Sequence, residues 1–154
     1  MQQPSRIIIA DTSCFILLDK IDYLEILQKL FGQVTTTTEV LVEFGKSLPE
    51  WVTIENVKDK NQQKLLEAEI DKGEASGIAL AMENANSLLI LDDYKARKTA
   101  ARYGLQFTGT LGVFLKAKEE TVIPAIRPIL ERIQQTDFRF TEKIFLDILK
   151  EANE

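Results

Sequence analysis

The chain of 154 residues contains no histidine and a single cysteine, Cys14. The missing imidazole excludes the Ser-His-Asp and Cys-His catalytic arrangements. It also excludes His-rich zinc sites, and one thiol builds neither an internal disulfide nor a thiolate metal cage. A lone cysteine fits a reducing, cytoplasmic setting. Long apolar runs are lacking as well: Ile7-Ile8-Ile9-Ala10 is far short of the roughly 20 residues of a membrane span. Met1 to Arg6 lacks a charged segment leading into a long apolar one, so no secretory signal is expected. Repeats, low-complexity tracts and Gly/Ser linkers are absent too. The expectation is one domain over residues 1–154, with a core over about 6–120 and C-terminal helices over about 124–150. A domain of that size buries roughly 70% of its unfolded surface.

Chemistry in such a chain runs mainly on carboxylates, with Lys, Tyr, Ser and Thr in support. Oxygen donors suit hard cations, magnesium or manganese. The net charge of −5 is not that of a nonspecific nucleic-acid binder. The charge is unevenly spread, however. From Tyr94 to Lys118 every charged residue is basic: Lys95, Arg97, Lys98, Arg102, Lys116 and Lys118. This stretch follows directly on Asp92-Asp93, so metal and phosphate could be held side by side; solvated helix faces are the plainer alternative.

Short apolar runs alternate with helical periods. Ile7–Ala10 reads as a buried parallel strand, and Asp11-Thr12-Ser13 caps a helix carrying Cys14, Phe15, Leu17 and Leu18. A second helix is expected over Ile21–Phe31, ended by Gly32. Val34–Thr36 is a β-branched strand, and Thr36 with Glu39 fits a capping box opening a helix to about Ser47. Trp51–Ile54 is a third strand, followed by a polar helix near Gln62–Ala68. Asp71-Lys72-Gly73-Glu74 opens a helix to about Asn84. Leu88–Leu91 is the fourth strand, and Asp92-Asp93 opens a helix ended by Gly104. Leu105–Phe107 is a short fifth strand before a helix over Gly109–Lys118, and two amphipathic helices follow, split near Thr136–Arg139. This alternation predicts an α/β fold with a parallel sheet, right-handed crossovers, and ligands at the carboxyl ends of the strands.

Two strands run directly into aspartate, one into Asp11 and one into Asp92-Asp93. In a parallel sheet these acids meet at one edge, although each alone could simply cap the next helix. One of Asp92 and Asp93 can cap while the other faces a metal. Glu74 falls inside the apolar arc of its helix, at the N-terminus, where it serves a capping box with Asp71, a metal, or both. Glu43 sits between Val42 and Phe44 without the capping role given to Glu39, which makes it the preferred functional acid of that pair. Carboxylates brought together repel one another and raise one another's pKa unless a cation intervenes. One or two magnesium ions would neutralise them, hold a phosphate oxygen and activate a water. Thr12 and Ser13 could bond a phosphate, as could Thr108-Gly109-Thr110 at a helix N-terminus, with capping as the alternative. Cys14 is expected to be a small buried hydrophobe.

The ordered set Ile-Ala-Asp11-Thr12-Ser13, Val-Glu43-Phe, Gly73-Glu74-Ala-Ser-Gly-Ile-Ala-Leu-Ala, Leu-Ile-Leu-Asp92-Asp93-Tyr-Lys-Ala-Arg97 and Thr108-Gly109-Thr110-Leu-Gly resembles the PIN-domain family, and within it the VapC toxin-like proteins. The resemblance covers about Ile7 to Lys118. It implies a three-layer α/β/α fold with a parallel five-stranded sheet. It implies a magnesium- or manganese-dependent endoribonuclease, often the toxin of a toxin–antitoxin pair, that dimerises and is blocked by an antitoxin. The family's acids carry over to Asp11, Glu43, Glu74 and Asp93, with Asp92 as a further metal ligand. Lys95 and Arg97 join the hydroxyls as phosphate-binding residues. The family's third acid is commonly aspartate, and here Glu74 stands in its place. Competing readings are a magnesium-dependent phosphotransfer domain of the receiver or haloacid-dehalogenase type, a degenerate PIN-like binding module, and a DNA nuclease. The first is disfavoured because Asp11 is followed by Thr12-Ser13 rather than by a second aspartate.

Overall fold

A computed structural model describes residues 6–154. The reading of Met1–Ser5 as free of a secretory signal falls outside them. Among the described residues the elements are β1 (Ile7–Ala10), α1 (Thr12–Lys20), α2 (Ile26–Phe31), β2 (Val34–Thr37), α3 (Thr38–Phe44), β3 (Val52–Glu55), α4 (Lys60–Glu67), α5 (Lys72–Met82), β4 (Ser87–Ile90), α6 (Tyr94–Arg102), β5 (Phe107–Thr108), α7 (Thr110–Glu119), α8 (Arg127–Gln134) and α9 (Glu142–Glu151). The five strands form one parallel sheet in the order β3-β2-β1-β4-β5. Ile9 lies opposite Thr35 on one side and Leu89 on the other. The chain therefore builds outward from β1 in one direction, then returns to β1's other side with β4. This reversal splays the connections that leave β1 and β4 and opens a crevice above their carboxyl ends.

Strand side chains alternate between two buried layers, as a period of two requires. Ile8, Ala10 and Ile90 face a core with Phe15, Leu18, Leu27, Phe114, Ile129 and Leu130, under α1, α2, α7, α8 and α9. Ile9, Leu89 and Leu91 face a second core with Leu66, Ile78 and Ala100, under α4, α5 and α6. The result is the expected three-layer α/β/α arrangement. The C-terminal helices belong to the first layer: Ile133, Ile148 and Leu149 are buried there, and Lys118 pairs with Glu154 at 2.9 Å. No described helix is long and apolar enough to cross a membrane.

Several boundaries differ from the expected ones. The segment Ile21–Glu25 is a turn, with Asp22 at φ 60°, so the second helix starts only at Ile26. The capping box placed on Thr36 and Glu39 does not form. Thr36 is fully buried and its hydroxyl donates to the Ala10 carbonyl at 2.7 Å, which keeps β2 extended for one more residue. Thr37 is the cap instead, accepting from the Val40 N–H at 3.1 Å. Glu39 is turned towards α4, where it accepts from Gln63 at 2.6 Å and faces Lys60 at 3.7 Å. Gly45, at φ 76°, stops α3 earlier than Ser47, in the left-handed conformation that favours glycine. Helix α5 ends at Met82, and it is buried on every side from Gly73 to Ala81 rather than along one arc.

Candidate active site

The crevice between β1 and β4 is lined by six carboxylates: Asp11, Glu43, Asp71, Glu74, Asp92 and Asp93, with Thr12, Ser13 and Ile16. It encloses about 430 Å³. Among the described residues no lysine or arginine lines it.

Asp11 is delivered by β1 itself, whose ladder continues into it: the Asp11 N–H donates to the Ile90 carbonyl at 3.1 Å. It occupies the cap position of α1, yet its side chain makes no capping bond. Asp11 is 6% exposed and its Oδ1 is buried without a partner. Burial, with the negative charges of Asp71, Glu43 and Asp92, pushes its carboxyl from the usual 3.8 up to about 7, against the lowering effect of the Thr12 N–H. A buried carboxylate oxygen with no donor is uncommon, because such a group loses its hydration without recompense.

Across the cavity, the first turn of α5 supplies Asp71 and Glu74. Here the capping box is complete: the Glu74 N–H donates to Asp71 at 2.8 Å and the Asp71 N–H to Glu74 at 3.3 Å. Capping does not relieve Glu74. Burial first, then the charges of Asp71, Asp93 and Asp11, raise its carboxyl to about 8. Asp71 is the acid that sequence reading assigned only to capping. Its one signal was position, at the same helix start as Glu74, and the capping motif explained that position fully.

Glu43 reaches in from α3 and is held at both oxygens. Thr12 Oγ1 donates to Oε2 at 2.8 Å, and the Gly73 N–H donates to Oε1 at 2.9 Å. The approach requires glycine at 73, since a Cβ there would lie 2.5 Å from Glu43 Oε1. Glu43 thus ties α1 to the start of α5.

The neighbouring aspartates have different partners. Asp92 accepts from the Thr110 N–H at 2.8 Å and from the Thr110 hydroxyl at 2.6 Å. Gly109 leaves room for this, as a Cβ there would come within 2.9 Å of Asp92 Oδ1. Asp93 caps α6 through the Ala96 N–H at 2.9 Å and is otherwise exposed. Of the expected phosphate-binding residues, Thr12 and Ser13 line the cavity; Lys95, Arg97, Thr108 and Thr110 do not. Lys95 is exposed on α6. Arg97 lies over the Phe107 ring at 5.1 Å with its Nε buried and unpartnered. Thr110 is fully buried and given over to Asp92, and the Thr108 hydroxyl turns to the Gly109 carbonyl. Cys14 is fully buried, and burial pushes its thiol well above the usual range, so it is no nucleophile.

Among the described residues no three acids already stand together as a metal cage; they surround a volume instead of meeting at a point. Their chemistry nevertheless fits a hard divalent cation. The donors are carboxylate and hydroxyl oxygens, one of them is orphaned and buried, and burial together with the charges of neighbouring acids drives two of the acids towards neutrality. A family model described as a PIN domain matches residues 7–154. No curated protein matches the chain.

Proposed function

The chain belongs to the PIN-domain family, whose members are in general metal-dependent nucleases, and on that premise we propose that it is a magnesium- or manganese-dependent endoribonuclease. The observation that carries the reading is Asp11: a buried carboxylate with an unmet oxygen, facing five further acids at the sheet's switch point. RNA is proposed over DNA on the likeness to the VapC toxin-like proteins, which implies an endoribonuclease. The likeness to VapC toxins extends the proposal to a toxin role, with a cytoplasmic homodimer and an antitoxin protein that blocks the crevice.

In this reading Asp11, Glu74, Asp92 and Asp93 hold the metal. A divalent ion bound there supplies charge neutralisation, phosphate polarisation and water activation. Thr12 and Ser13 orient a phosphate from the α1 side. Glu43 positions Thr12 and the α5 start, and so sets how far Asp11 stands from Asp71 and Glu74. Thr110 fixes the rotamer of Asp92 by donating to both its oxygens. Lys95 and Arg97, on α6 beside the crevice, attract the strand's phosphates.

The test is cleavage of a panel of structured RNAs by purified chain with Mg2+ or Mn2+, with chelator, and with Asp11→Asn and Asp93→Asn variants. Metal-dependent cutting that is lost in both variants supports the reading. Full cutting by either variant at wild-type metal dependence refutes the assignment of these acids. Divalent binding without cutting of any RNA, together with an acid-labile phosphoprotein, favours phosphotransfer instead. Absence of both metal binding and cutting favours a binding module.

A further inference from the structure

Helix α6 starts at the edge of the crevice: Asp93, its cap, lines the cavity, and Tyr94 is its first residue. Tyr94 is 76% exposed, so its ring adds little to either core. One contact orders it. The Lys98 ammonium, one turn further on, lies over the ring at 5.6 Å from the centroid. With one face under the lysine and most of the residue in solvent, the opposite face of the ring is open. Side chains on a helix lean towards its N-terminus, which directs Tyr94 to the rim of the crevice rather than down the helix.

The helix surrounds that ring with positive charge. Lys95 and Lys98 are exposed and make no ion pair among the described residues. They stand three apart, and Lys98 stands four from Tyr94, so the three share one face. From Tyr94 to Arg102 the helix carries no acid. The acids at its two ends are engaged: Asp93 caps the helix and lines the crevice, and Glu69 pairs with Arg102 at 2.5 Å. The pairing of Arg102 closes the free cationic stretch. What remains is one ring and two ammonium groups within about one helical turn, roughly 6 Å along the axis.

We propose that this face of α6 is a one-nucleotide subsite for single-stranded RNA at the mouth of the crevice: the open face of Tyr94 stacks an unpaired base, and Lys95 and Lys98 hold the phosphates beside it. Lys98 fixes the plane of the ring from its covered side and keeps further N–H donors for a phosphate. Every base has a π-face, so the subsite selects an unpaired strand and not a sequence. In a duplex those faces are buried in the stack, and only the lysines have something to hold. A nucleic-acid strand is favoured over an acidic peptide because the ring stands with the cations and because the face continues directly into the crevice at Asp93. The inference rests on the ribonuclease reading for its ligand. It adds Tyr94 and Lys98, which that reading does not use, and places the cut beside an unpaired nucleotide.

The experiment measures binding of a labelled single-stranded RNA oligonucleotide by fluorescence anisotropy, across a salt series, with chelator present so that the strand stays intact. The proteins are wild type, Tyr94→Ala, Tyr94→Phe, Lys95→Gln/Lys98→Gln, and a charge control, Lys143→Gln/Lys150→Gln on α9. Tyr94→Ala is expected to bind about tenfold more weakly, within the range for one stacked base, at an unchanged salt slope and thermal midpoint. Tyr94→Phe keeps the ring and should stay within about twofold of wild type. The α6 lysine variant should lose about 1.4 from the salt slope, the value for two phosphate contacts to a single strand, and the α9 control should lose none. An abasic ribose-phosphate chain of the same length, or an RNA duplex, should bind wild type and Tyr94→Ala alike. Wild-type affinity in Tyr94→Ala, an equal loss for the abasic chain, an equal loss of slope in the α9 control, or no binding by wild type at low salt would overturn the subsite. Metal-dependent cleavage by wild type is measured in parallel. Cleavage with unaffected binding in Tyr94→Ala sinks the subsite alone; binding that depends on Tyr94 without cleavage sinks the nuclease reading alone.

Discussion

Replacing Asp11 by asparagine should make the metal-free protein more stable while destroying its activity. The side chain is 6% exposed, has an oxygen without a donor, and is surrounded by negative charge. Its ionisation in the folded state is therefore costly. Raising the carboxyl from 3.8 to about 7 corresponds to roughly 4 kcal/mol between the charged and neutral forms. That figure is a ceiling, because neighbouring acids share protons and the cavity relaxes; about 2 kcal/mol is the expected gain in the variant. For a chain of this length the gain raises the thermal midpoint by about 4–8 °C. The sign depends on pH. Below the unfolded carboxyl's pKa both states carry the proton and the cost is absent. It grows as pH rises through the window from about 4 to 7 and is complete above it. The advantage of Asp11→Asn over wild type should thus be large at pH 8 and vanish near pH 3.5. Differential scanning fluorimetry with chelator, over that pH range, reads it directly. A variant less stable than wild type at pH 8, or an advantage independent of pH, would refute the picture of Asp11 as an uncompensated buried acid.

Gly73→Ala should displace the Glu43 carboxylate, whose flexible end can swing away, so cleavage falls by roughly 10–100-fold with a midpoint change of a few degrees at most; unchanged turnover would show that Glu43 does not position the site. Thr110→Val removes the hydroxyl that Asp92 accepts from at 2.6 Å, and should weaken metal binding measured by calorimetry while costing about 1 kcal/mol of stability. Cys14→Ser should leave activity near wild type after correction for a stability loss on the order of 1–2 kcal/mol from burying a hydroxyl; a large loss of turnover in folded protein would reveal a role for the thiol.

Strand-terminal acids were the part of the site most legible in the sequence. Asp11 and Asp92 follow apolar runs that can only be buried parallel strands, and topology then brings them to one edge. Glu74 stood out because a charge inside an apolar arc demands a reason. Asp71 was hidden by the same motif that explains it, since a capping box accounts for both its members without any site. Glu43 was separable from Glu39 only by elimination, and the elimination was partly mistaken: Glu39 serves α4, not a capping box. A run of four threonines, Thr35–Thr38, does not announce where strand yields to helix; the Ala10 carbonyl, a tertiary partner, decides it for Thr36.

The two raised carboxyls give the crevice a further property. With burial and neighbouring acids raising Asp11 to about 7 and Glu74 to about 8, the crevice holds protons at neutral pH. Uptake of a divalent ion, as proposed, should therefore be an exchange that expels up to about two protons into the buffer. On the proposed function, mildly alkaline solution should therefore favour loading of a divalent ion and acidification should oppose it, a pH dependence that needs no histidine.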